Sequence, residues 1–404
     1  MEFEENYKII LSNIFNEEIN LGKNPKRNNC TGALLGEHFE TFKKNFIERL
    51  QRLNNYFQKD ANQINSIKKT AIDIAQDSGY FWAGPYSELI ALDYWIQFKD
   101  LTDIKFINKG KSDEFEISLY EDSLAKKIGK KEVDIDLSFT LHFTKVYMDI
   151  KAYKPTHYEI TDRIIEIIKK TGNYSNILIG LENLNGGNFF EASKDLTNEI
   201  KSGAIITNIK SAIANKNKLY IHELSSGNKY RFRIEYPNEQ GITTLITEDS
   251  IDPYYKAYNN KYKFLNYSNK LLISEPSLLV FVVNPWFNRE LYEANDFSKR
   301  YYRAVTRRVF IELSQNQTKM NELFVDIENE ELKVSDVAGK ITGIIFIEDK
   351  SILEIDDNKL FNAYIYLNPR ATNKILKREN FEILNWTHSA IKPCVIEDFI
   401  YDNY

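Results

Sequence analysis

Apolar residues recur at three- and four-residue spacing from 36 to about 77, where Phe39, Phe42, Phe46, Leu50 and Leu53 are separated by Lys, Glu and Arg. This spacing predicts helices, with a polar stretch at 54–66 breaking them in two. A further helix is expected to begin near Pro85, whose missing N–H suits a first turn, and to run through Leu89, Leu92, Trp95 and Ile96. Glu88 falls in its first turn.

The period then changes to two. Val133, Ile135 and Leu137 alternate with Glu132, Asp134, Asp136 and Ser138; past a connection at 142–145, Val146, Met148 and Ile150 alternate with Tyr147, Asp149 and Lys151. This predicts two half-buried strands of a hairpin. Val133, Ile135, Met148 and Ile150 should face the core, and Asp134, Asp136, Asp149 and Lys151 the other side. A helix is expected after Pro155, marked by Ile160, Ile164, Ile167 and Ile168, and a buried strand at 176–181.

From 183 to 270 the pattern is β-rich, with a Gly-punctuated start at 185–188 and alternating stretches at 218–224, 230–236 and 243–247. Buried α/β character resumes with a strand at 278–283, a helix near 298–313 and strands at 343–347 and 363–367. The expected organisation is a helical region at 1–80, an α/β core at 81–182, a β-rich insertion or recognition module at 183–270, and an α/β continuation at 271–404 that can complete the core sheet.

Composition narrows the class. Hydrophobic residues at 43% and charged residues at 27% give a globular chain with a sizeable core. The net charge of -5 neither supports nor excludes a polyanionic partner, because phosphate affinity depends on where positive charge sits. Cys30 and Cys394, far apart, exclude a cysteine metal knuckle and argue against a disulfide framework. The acidic start lacks the basic and apolar regions of a secretion signal, and the apolar run at 278–283 is too short to cross a bilayer. A soluble cytoplasmic protein is expected.

The chemistry concentrates in the hairpin. Phosphodiester cleavage needs an activated water and stabilisation of charge on the phosphoryl oxygens, which divalent ions held by carboxylates supply. Neighbouring strands about 4.8 Å apart bring carboxylates within reach of a shared ion. Lys151, two residues from Asp149, can reach the attacking water or the phosphate. Three acidic groups on one face repel unless a cation compensates.

On these residues the chain resembles the PD-(D/E)XK, or restriction-endonuclease-like, nuclease superfamily, over roughly 84–181. Glu88 matches the helix carboxylate, Asp134 or Asp136 the first aspartate, and Asp149-Ile150-Lys151 the D/E-X-K element; Val133 and Ile135, not proline, precede the aspartates. The resemblance implies a restriction-endonuclease-like mixed sheet flanked by helices. It implies Mg²⁺-dependent hydrolysis of DNA, with Mn²⁺ as substitute, Glu88, Asp134, Asp136, Asp149 and Ile150 as metal residues, and Lys151 as a catalytic group. Duplex DNA, a homodimer and a role against foreign DNA follow from the same resemblance. Either aspartate fits the first position: a turn centred on 142–145 favours Asp136, and the Glu132-Val133-Asp134 wording favours Asp134.

Two other acidic-X-Lys triplets lack this context. Asp103-Ile104-Lys105 has no preceding acidic strand, and Glu348-Asp349-Lys350 is followed by a strand instead of a helix. Arg300, Arg303 and Arg307 fall at helical spacing and form a candidate phosphate-gripping stripe, or a solvated face paired with Glu290, Glu293 or Asp296. His142 and His157 flank the hairpin; His222 and His388 show no partner pattern. Phosphate-loop, dinucleotide and nucleophile-elbow motifs are missing, which disfavours an NTPase or a dehydrogenase. The rival readings are a non-cutting nucleic-acid-binding or partner-recruiting protein on the same scaffold, and a nuclease directed at RNA or junctions.

Overall fold

A computed structural model describes residues 2–22, 25–36, 38–76, 81–107, 120–127, 135–141, 143–154, 164, 167–168, 177–184, 196, 198–224, 227–236, 252–268, 271–288, 291–292, 296–324, 327, 329–352 and 360–374. Asp134, His142, His157, His388 and the stretch expected as a strand at 243–247 lie outside them, as does most of the helix expected after Pro155.

The architecture is mixed α/β. A six-stranded sheet has the order β1-β2-β3-β7-β8-β9, with β1 Leu101–Phe106, β2 Leu137–Leu141, β3 Thr144–Ala152, β7 Ser277–Val283, β8 Gly343–Asp349 and β9 Phe361–Leu367. The first three strands are antiparallel, β3, β7 and β8 are parallel, and β9 returns antiparallel to β8. The fully buried run Ser277–Val283 is what a central parallel strand covered on both faces requires.

Alternation along these strands divides the core. Val146, Met148, Ile150, Leu278, Val280, Val282, Ile345 and Ile347 pack against the N-terminal helices: α1 Glu2–Phe15, α2 Asn29–Leu35, α3 Glu40–Tyr56, α4 Ala61–Asp73 and α5 Ala83–Trp95. Leu279, Phe281, Val283, Ile344 and Phe346 face the other way. They meet Ala257 and Phe264 of the Pro253–Tyr267 helix, Tyr301 and Tyr302 of the Phe297–Arg307 helix, and Val337 of the Val334–Lys340 helix. Asp60 starts α4 by accepting the N–H groups of Asn62 and Gln63.

Charge inside the helical layer is matched. Arg49 on α3 is buried and donates to Asp93 on α5 and to Asp349 at the end of β8, each at 3.2 Å. The Tyr86 hydroxyl donates to the second Asp349 oxygen at 2.7 Å. A buried carboxylate left without such partners would cost several kcal/mol. The network therefore fixes α3 and α5 on the β8 end of the sheet.

The strand expected to close the core sheet after the hairpin does something else. β4 (Leu178–Asn183) pairs with β6 (Lys229–Glu235), and β5 (Leu219–Glu223) pairs with the other side of β6, forming a separate three-stranded sheet. Its own core is built from Ile179, Leu181, Phe232 and Ile234 against the Ala204–Ala214 helix, here α6, among others. The place beside β3 is taken by β7. Position 278–283 was already apolar enough for a doubly covered strand, whereas β6 presents Lys229, Arg231 and Arg233 on alternate positions and needs one face open. The Pro253–Tyr267 helix, α7, falls in the stretch expected to be β-rich; Asp252 caps it and Pro253 occupies its first turn. The Phe297–Arg307 and Val334–Lys340 helices are α8 and α9.

Candidate active site

The D-I-K triplet lies on β3, and its geometry follows from the two different ladders that β3 joins. The N–H groups of Tyr147 and Tyr153 donate to the carbonyls of Pro276 and Val282 on the β7 side. In a parallel ladder alternate residues serve the same neighbour, so the polar backbone of Ile150 is directed toward β2. There β2 has no ladder residue left: its pairing with β3 ends at Leu137–Met148. The Ile150 N–H is instead taken by a side chain, Oδ2 of Asp136, at 2.7 Å.

A one-residue irregularity puts Asp136 in that position. Leu137 is the ladder partner of Met148, yet the N–H of Asp136 also donates to the Met148 carbonyl, at 3.1 Å. Two successive residues against one is the signature of a bulge, which breaks the strict alternation beyond it. Ile135 accordingly packs with Tyr147 and Leu272, on the face to which Asp149 belongs, and not with Met148 and Ile150 as the alternation predicted. Asp136 itself is buried, 3% exposed.

Asp149 and Lys151 leave β3 on one face. Lys151 Nζ donates to Asp149 Oδ1 at 2.6 Å; the carboxylate is fully buried, and the lysine side chain is 23% exposed. Desolvation makes an uncompensated buried carboxylate costly, and the ammonium two residues along offsets that cost. Their β7 partners, Leu279 and Phe281, show what covers this face: Phe264 of α7 packs edge-on against Phe281 with ring centroids 4.8 Å apart.

Glu88 falls on the helix expected for it. It is half-buried in α5, and α5 packs on β3 and β7 over the Val146–Met148–Ile150 side of the sheet. Asp149 and Lys151 project from the opposite side, since successive strand residues alternate. The structure thus joins Asp136, Ile150, Asp149 and Lys151 around one stretch of β3, and α5, which carries Glu88, packs on the opposite face of that strand. Asp134 lies outside the described residues. Among the described residues no three His, Cys, Asp or Glu side chains converge as a metal group.

The same face carries residues that sequence reading passed over. Tyr153 continues the Asp149–Lys151 row, and its hydroxyl hydrogen-bonds that of Tyr301 on α8. Lys263 of α7 is buried, donates to the Lys154 carbonyl and lies 5.2 Å from the centre of the Tyr153 ring. Glu348, at the end of β8, is also buried; it accepts from Asn362 Nδ2 at 3.0 Å and from the Tyr302 hydroxyl at 3.3 Å. Burial raises its carboxyl above the usual carboxylate range against those hydrogen bonds. β7 and β8 beside it are buried at every position, so no alternation marks the row in the sequence.

Arg300, Arg303 and Arg307 lie along α8, the first exposed and the others half-buried. Asp296, their expected partner, instead lies 3.4 Å from Lys299; Glu290 and Glu293 are outside the described residues. His222, which shows no pattern in sequence, does have partners: Glu199 Oε2 at 2.5 Å and the Tyr220 hydroxyl at 2.6 Å, on the three-stranded sheet.

Comparison with family models, curated proteins and solved structures finds no match for this chain. The geometry must therefore carry the functional reading.

The donor chemistry suits a hard divalent cation. Two carboxylates, Asp149 and Asp136, and the Ile150 carbonyl, the only metal-binding atom that residue offers, are oxygen donors of the kind Mg²⁺ and Mn²⁺ prefer. The carbonyl is directed to the β2 side, where Asp136 already stands.

Proposed function

We propose that the chain is a metal-dependent phosphodiesterase acting on nucleic acid, with Asp136, Asp149 and Lys151 at its centre. The observation that supports it most is the 2.6 Å Lys151–Asp149 ion pair set beside an Asp136 carboxylate that replaces the missing end of β2. Two carboxylates and an ammonium gathered at such a break are the groups that a cation and a phosphate call for.

In this reading Asp149, Asp136 and the Ile150 carbonyl hold Mg²⁺ or Mn²⁺, which supplies Lewis-acid stabilisation of charge on the phosphoryl oxygens. With a cation on Asp149, the Lys151 ammonium, now bonded to that carboxylate, would serve a phosphate oxygen or the attacking water. Partial exposure of the lysine beside a buried aspartate gives it that access. Glu88 has no assigned part in this site. DNA as substrate, duplex cleavage by a homodimer and action on foreign DNA come from the family resemblance, an analogy at the level of fold.

The test is incubation of supercoiled plasmid with Mg²⁺ or Mn²⁺, with EDTA as control. Asp149→Ala and Lys151→Ala are each expected to abolish nicking and linearisation while far-UV circular dichroism stays unchanged. Metal-dependent cutting that survives both changes overturns the assignment.

One observation favours the rival reading, a nucleic-acid-binding protein that does not cut: Asp136 Oδ2 already accepts the Ile150 N–H. That reading predicts tight oligonucleotide binding, no cleavage with either metal, and no change in binding on adding Mn²⁺.

A further inference from the structure

We infer that the outer surface formed by α7 and α8 is a track for an unpaired nucleic-acid strand, leading to the Asp149–Lys151 end of β3. For the identity of the strand's destination the inference rests on the proposed phosphodiesterase; the surface itself is argued from charge and aromatic exposure.

Charge is the first argument. Of the cations on these helices Lys256, Lys261 and Lys263 are buried, and Lys299, Arg300, Arg303, Arg307 and Arg308 reach the surface, against Asp252, Asp296 and Glu312, in a chain whose net charge is -5. A cationic concentration of this kind on one layer of an acidic protein is the footprint of a polyanion. One of the three acids, Glu312, is already engaged, by Lys261 and by Arg308 at 2.7 Å. Arg300, Arg303 and Arg307 form a ridge along one side of α8, because positions three and seven apart nearly eclipse.

The second argument is aromatic. Tyr255 and Tyr258 are each 41% exposed although neighbouring turns of α7 are buried. Three residues apart, they stand on adjacent positions of one helix surface. The Arg308 guanidinium lies 5.0 Å and Lys261 Nζ 4.3 Å from the centre of the Tyr258 ring, which fixes the ring and carries the basic ridge across to it. Exposed rings beside a cationic ridge offer stacking to bases and charge to phosphates, and base faces are accessible in a single strand, not inside a duplex.

The third argument is position. α7 and α8 pack on each other and lie on the same sheet face as Asp149 and Lys151. Both helices are anchored beside that end of β3 through the core: Tyr301, next to Arg300, bonds Tyr153, and Lys263 of α7 bonds the Lys154 carbonyl.

The test is fluorescence anisotropy with labelled single-stranded and duplex DNA of equal length, in EDTA so that no cleavage intervenes. Single-stranded DNA should bind more tightly than duplex. Tyr255→Ala and Tyr258→Ala should each weaken it about tenfold. Arg303→Gln with Arg307→Gln should lower the slope of log affinity against log salt by about 1.4, at about 0.7 per lost phosphate contact. Thermal melting of each variant confirms that it folds. Preference for duplex, unaltered by the tyrosine changes, overturns the inference, as does an unchanged salt slope in the folded double variant. Single-strand binding that persists in a protein that cuts nothing leaves this surface standing and removes the phosphodiesterase.

Discussion

Asp136 accepts the backbone N–H of Ile150 at 2.7 Å, so a carboxylate occupies the place of a strand residue between Asp149 and Lys151. One side chain thereby completes the hydrogen bonding of β3 and, in the proposed function, would also serve a cation. The two roles separate experimentally. Asp136→Asn keeps an acceptor for the N–H but removes the charge; it is expected to lose about 1–2 kcal/mol of stability, in line with a charge-assisted hydrogen bond, and to weaken Mn²⁺ binding at least about tenfold. Urea denaturation and isothermal titration calorimetry check the two parts. Loss of stability with full Mn²⁺ affinity would make Asp136 a purely structural residue.

Lys151→Met removes the ammonium that offsets the buried Asp149 carboxylate. In metal-free protein the variant should be destabilised by roughly 1–3 kcal/mol, less than for a wholly buried pair because the lysine is partly exposed. Adding Mn²⁺ should raise its melting temperature more than it raises that of the unaltered protein, since a cation can then take over the compensation. Equal shifts in both proteins would remove Asp149 from the metal site.

Arg49 bridges Asp93 and Asp349 with almost no solvent exposure. Arg49→Met leaves Asp349 buried without its cation, while Asp93 keeps its bonds from Arg52 at 2.9 and 3.0 Å, and a loss of about 3–5 kcal/mol is expected. The midpoint of urea unfolding measures it. The proposed cleavage activity should change only through the folded fraction, because this network lies on the α3–α5 side of the sheet.

Glu348 supplies a pH dependence. Burial raises its carboxyl in the folded protein above the ordinary carboxylate value, so the native state holds the proton more tightly than the unfolded chain. Its favourable contribution is fully present below the unfolded value and is lost as pH rises through the folded one. Glu348→Gln should therefore raise the melting temperature at pH 7, with the advantage shrinking as pH falls toward the ordinary carboxylate range. A gain that is constant with pH would contradict the shift.

Much of the main sheet is legible from periodicity because its strands keep a regular pattern: Val146 to Lys151 alternates, and Ser277–Val283 is continuously apolar. The helices at 40–56 and 61–73 follow from their apolar spacing and the polar break between them. What could not be read is the pairing of distant segments. The stretch at 178–183 looks as suitable for the core as 277–283 does, and only the partners available to each decide between them. The bulge at Asp136 was equally hidden, since a sequence alternates on paper whether or not one residue is extra in the ladder. That single residue moved Ile135 to the Tyr147 face. The helix Pro253–Tyr267 did leave a mark, Asp-Pro at its start, but the tyrosines that follow are equally at home in strands.

The parallel pairing of β3 with β7 bears on how the molecule is made. Asp149 and Leu279, side by side in the finished sheet, are separated in the chain by the entire three-stranded unit, so contact between them requires closing a very long loop. A growing polypeptide that has emerged from the ribosome only as far as the D-I-K triplet has no partner for that strand edge, and pairings of this range form late and slowly. Whatever chemistry the hairpin performs is withheld until the second half of the protein has been synthesised.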